Sequence, residues 1–124
     1  MSQVSPLPHP ETEQISLPNV MAALGDPTRL AIVGHLSRCS GAGVTCGEFT
    51  QFASKTNVTY HVGKLRDAGV VMVQPEGTKR RVTLRRAELD ERFPGFLDSI
   101  LPAAEALPFT DGCALASAAA TEQA

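Results

Sequence analysis

The side chains with the clearest chemistry lie in two clusters. The first is Ser54, Lys55, Thr56, Asn57, Thr59, Tyr60, His61 and Lys64, and the second is the run Lys79, Arg80, Arg81. Hydroxyl, amide and ammonium groups at this density suit hydrogen bonding to phosphates and base edges rather than bond-making catalysis. The chain shows no nucleophile elbow, phosphate loop, paired catalytic carboxylates or metal-ligand cluster, so an enzyme is the weakest of the candidate classes.

The first cluster needs a helix to present it. Val58, Val62 and Leu65 fall at i, i+4 and i+7, which predicts one buried stripe from Ser54, a natural N-cap, to a stop at Gly69. Thr56, Tyr60 and Lys64 then lie on the opposite face, with Asn57 and Thr59 on its flanks. His61 sits beside the apolar stripe, where packing on the preceding helix and base contact are both open. The second cluster needs a hairpin. Val70 to Gln74 and Arg81 to Arg85 read as strands around the turn residues Pro75-Glu76-Gly77-Thr78. Three consecutive cations exceed what protection of an edge strand requires, although strand alternation turns some of them away from any one surface.

Upstream, Leu17, Val20, Met21 and Leu24 predict a short helix ended by Gly25. Asp26-Pro27 then opens a second helix to about Arg38, apolar nearly all round and so central. Thr45 and Glu48 have capping-box spacing for a third helix from Cys46 to about Phe52, with Phe49 and Phe52 or Ala53 inward. Leu89, Phe93, Phe96, Leu97, Ile100 and Leu101 form a last apolar stretch, restarted as a second helix by Pro94. The expected fold is mostly α with a small β component (α+β), in the order α-α-α-α-β-β-α. It is a winged helix-turn-helix with a C-terminal dimerisation helix. Residues 1–14 read as a disordered arm, 15–107 as the folded domain and 108–124 as a disordered tail.

Net charge is −2, yet it is partitioned. Residues 25–85 carry nine Lys/Arg against four acids, whereas 86–124 carry two against seven, so one part of the fold suits an anionic partner. No apolar run is long enough for a membrane span, and the N-terminus lacks a secretory pattern, which points to the cytoplasm. Cys39, Cys46 and Cys113 are too few for a disulfide framework and should be thiols in a reducing compartment. Cys46, in the first turn of the third helix, should have a lowered pKa there. Cys46, alone or together with Cys39, is a candidate oxidant or thiophile sensor. A soft-metal site adding His35 is open, but the spacing does not require it.

Three stretches resemble the ArsR/SmtB-type bacterial repressors. Ala23-Leu24-Gly25-Asp26-Pro27-Thr28-Arg29-Leu30 is similar to that family's entry motif. Val58-Thr59-Tyr60-His61-Val62 followed by Leu65-Arg66-Asp67-Ala68-Gly69-Val70-Val71 is similar to its recognition helix, and Glu76-Gly77-Thr78-Lys79-Arg80-Arg81 resembles its wing. The resemblance spans about residues 17–101. It implies a homodimeric repressor that binds an imperfect palindrome of double-stranded DNA and is released by an effector. It further implies DNA contacts at Lys55, Thr56, Thr59 and Tyr60. The apolar stripes at the two ends (Leu17, Val20, Met21 and Leu24; Phe93, Phe96, Leu97, Ile100 and Leu101) suit a twofold interface, because a domain this small has limited interior. The sequence also departs from the family. Thr45-Cys46-Gly47-Glu48 has one thiol where many members carry Cys-x-Cys, and no His follows His61, so neither usual metal site carries over and any cofactor stays unassigned. A winged helix that binds protein or RNA is the alternative reading.

Overall fold

The computed structural model describes residues 8–39, 43–51 and 54–107. Helix α1 (Leu17–Leu24) is capped by Ser16, whose hydroxyl accepts from the Asn19 amide at 3.3 Å, and Pro18 sits harmlessly in its first turn. Helix α2 (Pro27–Cys39) follows at once. Strand β1 (Val44–Thr45) leads into a 3-10 helix (Cys46–Gln51), and α3 (Lys55–Asp67) comes next. Strands β2 (Val71–Glu76) and β3 (Lys79–Leu84) form the hairpin, and α4 (Arg86–Arg92) and α5 (Phe96–Glu105) complete the chain.

The sheet is antiparallel in the order β1-β3-β2, with Val44 opposite Val82 and Val73 opposite Val82 on its other side. Helix α2 is buried along Ala31 to Leu36 and packs against α5. Their approach is close at Gly34, where a Cβ would stand 2.4 Å from the Ala104 carbonyl oxygen. The aliphatic core joins Val20, Ile32, Val33 and Leu36 to Val58, Leu65, Val71, Leu89 and Leu97, with Phe49 as its largest member. Gly69 closes α3 with φ +85°, and a Cβ there would meet the Ile15 side chain at 2.6 Å. Only glycine serves both demands.

Several expectations need correction. The third helix is 3-10 rather than α. The preceding Val44 and Thr45 are drawn into the sheet, which leaves a short segment entered from extended backbone. Phe49 is buried as expected, while Phe52 and Ala53 lie outside the described residues. Helix α5 starts at Phe96 and not at Pro94, because Pro94 and Gly95 form the turn between α4 and α5. Residues 8–14, expected as part of a disordered arm, lie on the body. The Val73 amide donates to His9 Nε2 at 3.0 Å, Arg85 Nη1 donates to the Pro10 carbonyl, and 12–14 form a 3-10 turn. The tail at 108–124, with Cys113, lies outside the described residues.

The end stripes are largely consumed within the chain. Val20, Leu24, Leu97 and Leu101 are core residues. Leu17 and Met21 stay exposed, and Phe93, Phe96 and Ile100 are partly buried. The 3-10 helix and α3, followed by the β2–β3 hairpin, make this a winged helix-turn-helix.

Candidate nucleic-acid interface

Helix α3 positions the first cluster as its spacing predicts. Ser54 caps it, accepting from the Asn57 amide at 3.1 Å, and Val58, Val62 and Leu65 are buried. Ser54, Lys55, Thr56, Asn57, Thr59, Tyr60 and Lys64 are all exposed. Tyr60 is 55% exposed, a large aromatic left in solvent. It is braced from both sides, with Lys64 Nζ 5.5 Å from its ring centre and the His61 ring edge-on at 5.2 Å. A ring held this way is ready to lie against a sugar or base without paying for its own ordering.

His61 belongs to the scaffold. Its Nδ1 lies 3.1 Å from Arg29 Nη1 and 3.9 Å from Asp26 Oδ2. A guanidinium can only donate, so Nδ1 is the acceptor and the longer approach to Asp26 is not a hydrogen bond. Arg29 Nε also donates to the Ala23 carbonyl at 2.6 Å. Asp26 caps α2 through the Thr28 and Arg29 amides at 2.9 and 3.1 Å. One short run therefore ties the end of α1, the start of α2 and the middle of α3 together. The Arg29 amide bond, aided by the Arg29 charge, holds the Asp26 carboxyl below its ordinary value of 3.8 against the opposing effect of burial.

We expect Asp26→Ala to cost about 1 kcal/mol as a lost cap. The Asp26 contribution is present above the ordinary carboxylate range and is lost as pH falls through the depressed value. Urea melts at neutral pH and near pH 3 check both points: the gap between parent and variant should shrink in acid.

The second cluster divides. Lys79 and Arg80 are exposed at the hairpin tip. Arg81 is turned back: its Nε donates to both Glu76 carboxylate oxygens at 3.0 and 3.2 Å, and its Nη1 donates to the Gly43 carbonyl. Arg81 therefore holds the hairpin to β1. Strand alternation predicts such a division, and the Glu76 partner decides which cation is withdrawn.

The two clusters meet. Lys55 and Thr59 of α3 share a groove of about 740 Å³ with Lys79 and Arg80 of the hairpin. Cys46 also lines it, half-buried, and here an expectation fails. Burial pushes the thiol above its ordinary value, and the nearby Arg80 charge offsets only part of this. The start of a 3-10 helix does not supply the field of a full α-helical terminus. Cys46 is a free thiol, so Cys39 and Cys46 are not joined to each other. Among the described residues, His35, Cys39 and Cys46 form no group able to hold a metal. Two contributors escaped the sequence reading. Arg66 lines the groove, and the Asp26–Arg29–His61 clasp looked only like a helix start.

A fold with an exposed polar helix beside a basic hairpin defines a class, the winged DNA-binding regulators. Residues 24–74 match the family model for a helix-turn-helix domain. The chain is also 34% identical over 83 residues to the uncharacterized HTH-type transcriptional regulator YceK of Bacillus subtilis (strain 168), a match covering 65% of this chain and 82% of that protein. The chain belongs to the helix-turn-helix transcriptional regulators and is a DNA-binding protein of that family. No helix among the described residues is long and apolar enough to cross a membrane.

Proposed function

We propose that the protein is a homodimeric repressor of the ArsR/SmtB type that reads an imperfect palindrome and is released by an effector. The carrying observation is the shared groove: the recognition helix and the hairpin cations border one surface, so both can meet one duplex. Thr56, Asn57, Thr59 and Tyr60 read base edges in the major groove. Ser54, Lys55 and Lys64 hold phosphates beside them, and Lys79 and Arg80 take phosphates or the adjacent minor groove.

Dimerisation uses what the core leaves exposed at the two ends, namely Leu17 and Met21 of α1 with Phe93, Phe96 and Ile100 near α5. Two recognition helices then stand about one DNA turn apart, ~34 Å. Effector control through a Cys39–Cys46 thiol pair loses support, because burial raises the Cys46 pKa and the two sulfurs are not joined. Selection of bound duplexes from a random pool tests the reading. The expected consensus has two symmetric halves about 10 base pairs apart, and Met21→Glu should weaken both dimer and binding. Recovery of no consensus, or of a single unpaired half, would overturn it.

A further inference from the structure

Tyr60 and His61 are successive residues of α3, and successive side chains on a helix point about 100° apart. Their rings nonetheless meet edge-on, with centres 5.2 Å apart and planes at 67°. Helix geometry alone does not supply that contact, so one ring must be turned toward the other and held. Tyr60 is 55% exposed, and its second neighbour, Lys64, is exposed as well. His61 is the anchored member. A histidine ring torsion is broad and roughly two-fold, so an unheld imidazole has no single orientation. Arg29 removes that freedom. Its Nη1 donates to His61 Nδ1 at 3.1 Å while its Nε donates to the Ala23 carbonyl at 2.6 Å. The guanidinium is planar, so two bonds made at once fix where the ring nitrogen sits. They also fix the tautomer, because an Nδ1 that accepts from Arg29 leaves the ring proton on Nε2. Asp26 accepts from the Arg29 backbone amide at 3.1 Å, so the arginine is held at both ends.

We propose that Arg29 is a positioning residue for Tyr60, acting through His61. Arg29 is half-buried and belongs to α2, not to the helix that carries the exposed face. The contacts run from the Ala23 carbonyl at the end of α1, through Arg29 and His61, to the Tyr60 ring. A side chain that must be ordered on binding costs affinity, and one ordered beforehand does not. Arg29 therefore sets how well Tyr60 reads a duplex while touching none of it. Only this consequence for DNA rests on the operator reading; the ordering of the ring does not.

The chain has one tyrosine and no tryptophan, so its emission comes from Tyr60 alone. Time-resolved anisotropy of that emission, in the full chain without DNA, should show a ring that turns with the whole molecule. Arg29→Met keeps the aliphatic stem and removes the donors, and it should add a fast component of the kind free side chains show. His61→Ala should add the same component, and the double variant no more than either single one. Ser16→Ala removes the α1 cap outside this chain of contacts, so it loosens the fold and should leave the decay unchanged. A fast component already present in the parent, equal in Ser16→Ala, absent from Arg29→Met or additive in the double variant would overturn the proposal. Circular dichroism shows which variants are folded. Should Arg29→Met unfold, Arg29→Lys takes its place, because one ammonium cannot hold both acceptors in a fixed plane. In duplex binding, Arg29→Met should lower affinity roughly threefold to tenfold, and the loss should vanish in a Tyr60→Ala background. A loss that persists there would overturn the role of Tyr60 as the group positioned. A parent chain that selects no duplex would remove the repressor reading and leave the ring decays to decide Arg29.

Discussion

The double substitution Lys79→Ala and Arg80→Ala is expected to lower operator affinity roughly 100-fold at moderate salt. The reasoning starts from the hairpin register. Lys79 pairs across the strands with Glu76 and Arg80 with Pro75, at the two positions nearest the turn, and both side chains are exposed. Among the described residues neither side chain makes a hydrogen bond or ion pair, whereas the neighbouring Arg81 is committed to Glu76. In the proposed dimer, two lost cations per protomer would remove four phosphate contacts. At about 0.7 kcal/mol each, typical of exposed ion pairs, the loss is about 2.8 kcal/mol, or about 100-fold. The salt dependence should flatten too, the slope of log K against log[salt] becoming shallower by roughly 3 to 4. Thermal stability should stay within about 0.5 kcal/mol of the parent, because surface substitutions rarely do more. Fluorescence anisotropy over a salt series measures affinity and slope together. An unchanged slope would mean that the hairpin does not touch DNA.

Glu88→Ala is expected to be the most destabilising surface-proximal substitution in the chain. Arg85 is only 6% exposed, which is rare for a guanidinium. Glu88 holds it with two parallel bonds, Nε to Oε1 at 2.9 Å and Nη2 to Oε2 at 3.0 Å. Arg85 Nη1 reaches the Pro10 carbonyl and Thr12 donates to Glu88, so the pair also fastens the N-terminal segment. Removing the carboxylate strands a buried charge, a change that costs about 3–5 kcal/mol. Glu88 itself is about one-third exposed, so solvent relieves part of this and the lower end, about 3 kcal/mol, applies. For a domain of this size that lowers Tm by roughly 12–20 °C. The Arg85 hydrogen bond holds the Glu88 carboxyl below its ordinary value of 4.5. The pair is therefore fully stabilising above that value, and its contribution is lost as pH falls through the lower folded one. Calorimetry of Glu88→Ala should show the deficit at neutral pH and its partial closure near pH 3. Proteolysis should also cut the variant earlier between residues 8 and 16. A Tm within 3 °C of the parent would refute this account of the pair.

Local periodicity carried most of the architecture. Helix α3 was legible because its cap, its i, i+4, i+7 valine–leucine stripe and its terminal glycine all lie within one short stretch. The hairpin was legible for the same reason, with turn residues between two β-branched runs. What stayed hidden depends on contacts distant in sequence. Strand β1 is two residues long and exists only because β3 pairs with it. The 8–14 segment is too polar to look folded, and His9, Pro10 and Thr12 find partners far along the chain in Val73, Arg85 and Glu88. Sequence alternation could divide the three hairpin cations but could not show that Glu76 would claim Arg81. The Cys46 thiol departs from expectation because burial by residues distant in sequence raises its pKa. The end stripes looked like one interface, yet the core takes Val20, Leu24, Leu97 and Leu101 and leaves Leu17 and Met21 outside.

The most direct measurement is equilibrium binding of the full chain to the DNA upstream of its own coding sequence, against a scrambled duplex, over a series of salt concentrations. Two protomers should bind one duplex with symmetric protection, the scrambled duplex should bind at least 1000-fold more weakly, and affinity should fall steeply with salt. Equal binding to both duplexes, or a flat response to salt, would contradict the proposal that α3 and the hairpin together read an operator.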